Sequence, residues 1–212
     1  MMLETQVDRA IHNAMQHKSL LDQSVLNIEG MSSPKVKHFL NNVVNFPTCR
    51  YLEVGSWKGS TFIAALYNNT HYDKAWSIEN WSEFGGPREE FYLNLNSHLS
   101  KDNRYDVVEG NFEHIPLLQY GIQDINCYFY DGAHDEESQK KALTKMYPAL
   151  TEQFIFIVDD WNHEPARLGT YEGIEALGLK ILSKWEMPAN YNGDRDNWWN
   201  GLGIFVLEKS DE

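Results

Sequence analysis

Three short stretches of this chain carry side chains whose types and spacing suit chemistry. In FIFIVDDWNH (residues 154–163), five apolar residues run straight into Asp159 and Asp160. Adjacent carboxylates repel each other, and at the margin of a core that charge is costly unless something compensates it. In YDGAHDEE, which begins at Tyr130, Asp131 and His134 stand three residues apart. An imidazole titrates near neutrality, so a His beside a carboxylate is equipped to take a proton from a reacting group. In YLEVGSWKGS (residues 51–60), Glu53, Gly55, Ser56 and Gly59 follow an apolar run, as where a strand turns sharply into a helix.

The elements that must position these groups follow from hydrophobic patterning. Apolar runs at 51–54, 75–78, 105–108, 125–130 and 154–158 alternate with helical stretches at 60–67, 88–99, 113–120 and 136–150. Continuous rather than alternating apolar strands predict a mostly parallel sheet with helices on both faces. A helix at 166–177 and strands at 180–185 and 203–208 follow, the last two joined by PANYNGDRDNWWNG. The expected fold is α/β: a Rossmann-like, doubly wound, seven-stranded sheet with an N-terminal helical extension. In that extension Leu3, Val7, Ile11 and Met15 recur at helical spacing, and Ser33-Pro34 reads as a cap and first turn. The expected division is a helical extension at 1–46 and the sheet-bearing domain at 47–212.

In such sheets, ligands bind beyond the carboxyl ends of the strands. Every one of the first five strands carries an acid there: Glu53, Glu79, Glu109, Asp131 and the pair Asp159-Asp160. Composition narrows the partners. With 18 Lys plus Arg against 31 Asp plus Glu, the net charge is −13, which disfavours nucleic acid and anionic membranes. Cys49 and Cys127 make no disulfide or zinc pattern and read as reduced core residues of a cytoplasmic protein. No basic-then-apolar leader and no run long enough to span a bilayer is visible.

The first turn discriminates among cofactors. A dinucleotide fingerprint starting at Gly55 would need glycine at 57 and 60, where this chain has Trp57 and Ser60. No G-K-[ST] follows, so a phosphate-cradling loop also fails. What remains, E-x-G-x-x-x-G, resembles the first motif of class I S-adenosylmethionine-dependent methyltransferases. The resemblance covers residues 50 to 208. It implies that the turn at Gly55, Ser56 and Gly59 passes under the methionine moiety of S-adenosylmethionine, with Glu53 nearby. It also implies that Glu79, 20 positions after Gly59, binds the ribose hydroxyls, and that Asn111 lies near the adenine.

The acidic pair sharpens the likeness. D-G-x-H at 131–134 and the acids at 159 and 160 look like those of metal-dependent bacterial O-methyltransferases of the sugar and natural-product type. That resemblance implies that Asp131, Asp159 and Asp160 converge on Mg²⁺, or on Mn²⁺ or Ca²⁺. It further implies that His134 is the general base, with Asp131 serving in cofactor binding and catalysis as well. The expected acceptor is a small-molecule hydroxyl. Other readings of the same residues stay open: the acids cap the next helix, Asp131 orients ligands without metal, or His134 is idle. They correspond to a metal-free O- or N-methyltransferase, or to a non-catalytic S-adenosylmethionine-binding protein on the same fold. Trp198 or Trp199 would wall the acceptor site or pack on the core. Trp81 would flank the adenine or pack a helix, and the N-terminal helices read equally as a lid or as the contact of a homo-oligomer.

Overall fold

The structure, a computed structural model, describes residues 2–100 and 104–210. Residue 1 and residues 211–212, at the outer ends of the two expected spans, lie outside the described residues. In chain order, α1 (Leu3–Met15), α2 (Gln23–Leu26) and α3 (Pro34–Val43) precede β1 (Arg50–Val54), α4 (Ser60–Leu66), β2 (Lys74–Glu79), α5 (Arg88–His98) and β3 (Tyr105–Glu109). Then come β4 (Ile125–Tyr130), α6 (Glu136–Met146), β5 (Leu150–Val158), α7 (Glu164–Ala176), β6 (Lys180–Met187) and β7 (Leu202–Glu208).

The seven strands form one sheet in the order β3-β2-β1-β4-β5-β7-β6. All neighbours are parallel except β7, which runs antiparallel to both β5 and β6. This is the Rossmann-like, mostly parallel arrangement expected from the sequence, with an antiparallel hairpin at one edge. The unbroken apolar strands are explained by the two faces they serve. On β5, Ile155 and Ile157 join the core shared with α1, α3, α4 and α5, while Phe154, Phe156 and Val158 join the core under α6 and α7. Burying each of these side chains stabilises the fold by about 1.5–3 kcal/mol. Val7, Ala10, Val36 and Phe39 of the N-terminal helices are buried in the first of these cores, beside Tyr51 and Phe62. The extension is thus part of the packed unit.

Register places the site. Val54 pairs with Ile78 on one side and Tyr130 on the other, and Tyr130 pairs with Val158. The next residues, Glu79, Gly55, Asp131 and Asp159, therefore lie along one edge of the sheet. Hydrogen bonds carry the ladder one step further, from Gly55 N to Ile78 O, Asp131 N to Val54 O and Asp159 N to Tyr130 O. Between β1 and β4 the strand order reverses, which opens the crevice where this architecture binds ligands.

Two local expectations change. The helix expected at 113–120 is instead two 3₁₀ turns, Phe112–His114 and Leu117–Tyr120. Pro116 separates them, since it has no N–H to give an α-helix. The helix expected to reach 150 stops at Met146, before a 3₁₀ turn that contains Pro148.

Candidate active site

The floor of the site is the turn after β1. Gly55 has φ +91°, and a Cβ built there would lie 1.9 Å from the backbone oxygen of Asp131. Glycine is required at that position, both for the backbone angle and for the close approach of β4. Gly59, at φ +83°, starts α4. Ser56 lies on the cleft wall, and its hydroxyl meets that of Ser77 at 2.8 Å.

Glu53, expected near the methionine end of the cofactor, lies directly beneath this turn. Its carboxylate is fully buried behind the turn and is absent from the cleft wall. There it accepts hydrogen bonds from the Tyr51 hydroxyl (2.6 Å) and the Thr61 hydroxyl (2.7 Å). Burial pushes its pKa up to about 7, partly offset by these bonds. Glu53 thus supports the turn from below.

Glu79 ends β2 on the cleft wall. Its Oε2 accepts from Trp57 N, and its Oε1 accepts from Asn80 N and Trp81 N, all at 2.8 Å. Oε2 keeps lone-pair capacity for a ligand hydroxyl, since a carboxylate offers about two acceptor sites per oxygen and Oε1 already takes two donors. Asn111, also on the wall, accepts from Glu113 N. Glu109 is tied up elsewhere, in a two-point pair with Arg88 (2.8 and 2.6 Å).

At the far end of the same cleft, Asp131, Asp159, Asp160 and His134 come together. His134 Nε2 lies 3.4 Å from Asp160 Oδ2 and 3.9 Å from Asp131 Oδ1. Asp159 is buried, while Asp131 keeps 19% of its side-chain surface toward the cleft. Asp131 is pushed well above the usual carboxylate range by burial first, then by Asp159 and Asp160, with a hydrogen bond to Asp159. Asp159 is likewise pushed well up, by burial and then by Asp160. His134 is lowered by burial, against the opposing pull of Asp160. The acid pair does not cap the following helix: His163 stands at the cap of α7, with no side-chain bond. Asp160 itself has a left-handed backbone, at φ +58°.

Carboxylate oxygens that no Lys or Arg neutralises, as here among the described residues, are the donor type that hard divalent cations take. Among the described residues, however, no group of three or more His, Cys, Asp or Glu side chains is arranged as a ready-made ligand set.

The cleft has a volume of about 620 Å³, and its described lining contains no Lys or Arg. Sequence reasoning missed its roof. Gly30, Met31 and Ser32, just before α3, line it, and a Cβ at Gly30 would lie 1.9 Å from Ser60 Oγ. Ser32 Oγ is buried without a hydrogen-bond partner. Lys37 Nζ secures this segment by donating to the carbonyls of Leu26 and Ile28 (3.0 and 2.7 Å). The cap at Ser33 was visible in sequence, but which part of the sheet it would face was not. The aromatic choices also resolve. Trp199 lines the cleft, whereas Trp198 is buried against Phe39. Trp81 packs on Phe91 and Tyr92 of α5.

The buried carboxyls predict a stability that falls with pH in metal-free protein. The folded value of Glu53, about 7, exceeds its ordinary 4.5. Its contribution is therefore complete below pH 4.5 and lost as pH rises through 7, a change on the order of 3 kcal/mol. Asp131 and Asp159 act in the same direction. With a chelator present, Tm should be higher near pH 5 than near pH 8, and Glu53→Gln should shrink the difference. Equal Tm at both values would show that these carboxyls stay ionised.

An open parallel sheet with a glycine turn at its switch point and an acid closing the second strand defines a nucleoside-cofactor α/β protein. A methyltransferase domain matches residues 52–161, just over half of the chain, and the protein belongs to that family. No curated protein matches it. Among solved structures it is similar to an O-methyltransferase from Bacillus cereus in complex with SAH. That likeness has 12% identity and TM-score 0.64, and covers 98% of this chain and 100% of that one. It is also similar to the O-methyltransferase TomG from Streptomyces achromogenes, involved in tomaymycin synthesis and in complex with SAM, at 13% identity, TM-score 0.61, and 98% and 99% coverage. Cofactor-bound Rv0187 from MTB shares 16% identity at TM-score 0.60, with 96% and 91% covered. At these identities the likeness is one of fold. Among the described residues no helix is long and apolar enough to cross a membrane.

Proposed function

We propose that the protein transfers a methyl group from S-adenosylmethionine to a hydroxyl of a small molecule, with His134 as general base and a divalent cation at Asp131, Asp159 and Asp160. The observation that carries this reading is the Asp131–Asp159–Asp160–His134 cluster opening on the same cleft as the Gly55 turn. An acidic cleft without Lys or Arg in its described lining suits a sulfonium donor and disfavours a pyrophosphate. The SAH and SAM complexes of the Bacillus cereus and Streptomyces achromogenes enzymes support the cofactor. The net charge of −13 favours a small acceptor over nucleic acid. The buried free thiols of Cys49 and Cys127 suit the reducing cytoplasm.

In this reading the acceptor oxygen attacks the methyl carbon in line, the carbon–sulfur bond breaks, and its electron pair stays on sulfur. The hydroxyl proton passes to His134 Nε2, which burial keeps neutral and ready to accept it. Glu79 holds the ribose, and the Gly55 turn holds the donor's methionine end so that reaction is governed by proximity and orientation. When bound, the cation would supply Lewis-acid polarisation of the hydroxyl.

Calorimetric titration of S-adenosylhomocysteine into metal-stripped protein, without and with excess Mg²⁺, tests both parts. Micromolar binding supports the cofactor, and a Mg²⁺ heat lost in Asp159→Ala supports the cation. No binding under either condition sinks the proposal. Asp131 and Asp159 are both pushed well above the usual carboxylate range, burial being the first cause, which favours a second reading, metal-free transfer. Turnover that survives exhaustive chelation would select it.

A further inference from the structure

We propose that Lys58 is a positioning residue that latches segment 28–33 over the cofactor turn, so that an ion pair sets how long the cofactor stays in the cleft. This rests on the S-adenosylmethionine reading above, and it brings in a stretch of chain that lies outside the matched residues 52–161.

The segment is a strap with little hold of its own. Residues 29–32 belong to no helix or strand, and among the described residues their backbone makes no hydrogen bond. Such a stretch opens at low free energy unless side chains tie it down. Its two ends are tied. Lys37 Nζ donates to Ile28 O, and Ser33 Oγ donates to Asn197 O, in the loop that carries Trp199. Between those ends the strap crosses the site: Gly30 rests on Ser60, the first residue of α4, and Met31 and Ser32 line the cleft.

The tie in the middle is Lys58, which belongs to the turn itself, between Trp57 and Gly59. Its ammonium lies 2.8 Å from Glu29 Oε2 on the strap and 3.0 Å from Glu90 Oε2 on α5. Lys58 is held in place independently of either carboxylate. Asn94 Nδ2 donates to Lys58 O (2.9 Å), and the ammonium stands 4.7 Å from the centroid of the Trp57 ring. Its side chain is only 13% exposed. A lysine placed in advance loses less freedom on pairing than the mobile surface lysines whose ion pairs contribute little. Glu29 is 69% exposed, so the pair is open to screening by salt. Breaking it frees the strap where it crosses the turn, and the cleft opens from above.

The test is stopped-flow measurement of S-adenosylhomocysteine release from the full chain at low and high NaCl. Raising NaCl from about 0.05 M to about 0.5 M should speed release from the wild type by about three- to fivefold, as expected for a well-placed ion pair that salt can screen. Lys58→Met and Glu29→Gln should each speed release by a similar factor at low salt and lose the salt dependence. The double variant should be no faster than either, because the two residues act through one contact. Glu90→Gln takes a carboxylate from the same lysine without touching the strap, so it should change release by less than about 1.5-fold. If Lys58→Met lacks a cooperative melt, Glu29→Gln alone carries the test, since its exposed side chain has little packing to lose. Salt-independent release from the wild type overturns the proposal. So does a Glu29→Gln variant that releases as the wild type does, additive effects in the double variant, or an equal effect of Glu90→Gln. Wild-type protein that does not bind S-adenosylhomocysteine overturns it together with the cofactor reading.

Discussion

Alanine in place of His134 should lower kcat by about 10²- to 10⁴-fold, the range expected for a positioned proton acceptor. The geometry explains why the loss falls on chemistry and not on cofactor binding. His134 stands at the acidic end of the cleft, 3.4 Å from Asp160 and 3.9 Å from Asp131. The turn after β1, with Gly55 and Ser56, and Glu79 at the end of β2 lie on other strands of the cleft, so affinity for S-adenosylhomocysteine should stay near the wild-type value. The pH profile carries a sign. Burial lowers the pKa of His134 below the ordinary imidazole value of 6.5. The acid limb of kcat should therefore lie below pH 6.5, with the neutral base available above it, and should vanish in His134→Ala. Near-normal turnover of that variant at neutral pH would remove His134 from the mechanism.

The second large effect is structural. Gly55→Ala should destabilise the protein by about 3–5 kcal/mol and abolish binding of S-adenosylhomocysteine. The added Cβ would lie 1.9 Å from the carbonyl oxygen of Asp131, 2.5 Å from its carbonyl carbon and 3.0 Å from Gly132 N. These are all backbone atoms, and the ladder bonds of Gly55 N to Ile78 O and Asp131 N to Val54 O hold both sides in place. No side chain can swing away to relieve the clash, and φ +91° adds its own cost. Gly59→Ala provides the contrast. Its neighbours are side chains of Phe91 and Ile63 at 3.1–3.3 Å, so a loss of about 1–2 kcal/mol, mostly from backbone angle, is expected. Denaturant unfolding of both variants, with calorimetry of the cofactor product, measures the difference. Equal and small losses would mean that the two chains at Gly55 can separate.

Much of this molecule was legible in its residues because the information is local. Apolar runs that serve two covered faces announce β1 to β5, and Ser33-Pro34 announces the start of α3, whatever the rest of the chain does. The spacing of Gly55 and Gly59, with Trp57 between them, excluded a dinucleotide turn for a reason of backbone clearance alone. Position along the sheet edge was also inferable once strands were assigned, since Glu79 ends its strand and Asp131 and Asp159 each follow theirs by one residue. What a given acid does there was not local. Glu53 and Glu109 look equivalent to Glu79 in sequence, yet one is buried under the turn and the other pairs with Arg88.

The class of fold, the glycine turn and the acids at the strand ends are written in the residues themselves, because each follows from periodicity or from a steric limit within a few residues. Long-range packing sets the rest: residues 30–32 roof the cleft, Trp199 rather than Trp198 lines it, and Asn200 donates to Asp160. Those choices join segments up to 164 residues apart, as the contact of Ser33 with Asn197 does. They depend on which strands become neighbours and in what register, and many alternative pairings satisfy the same local pattern of apolar and polar residues.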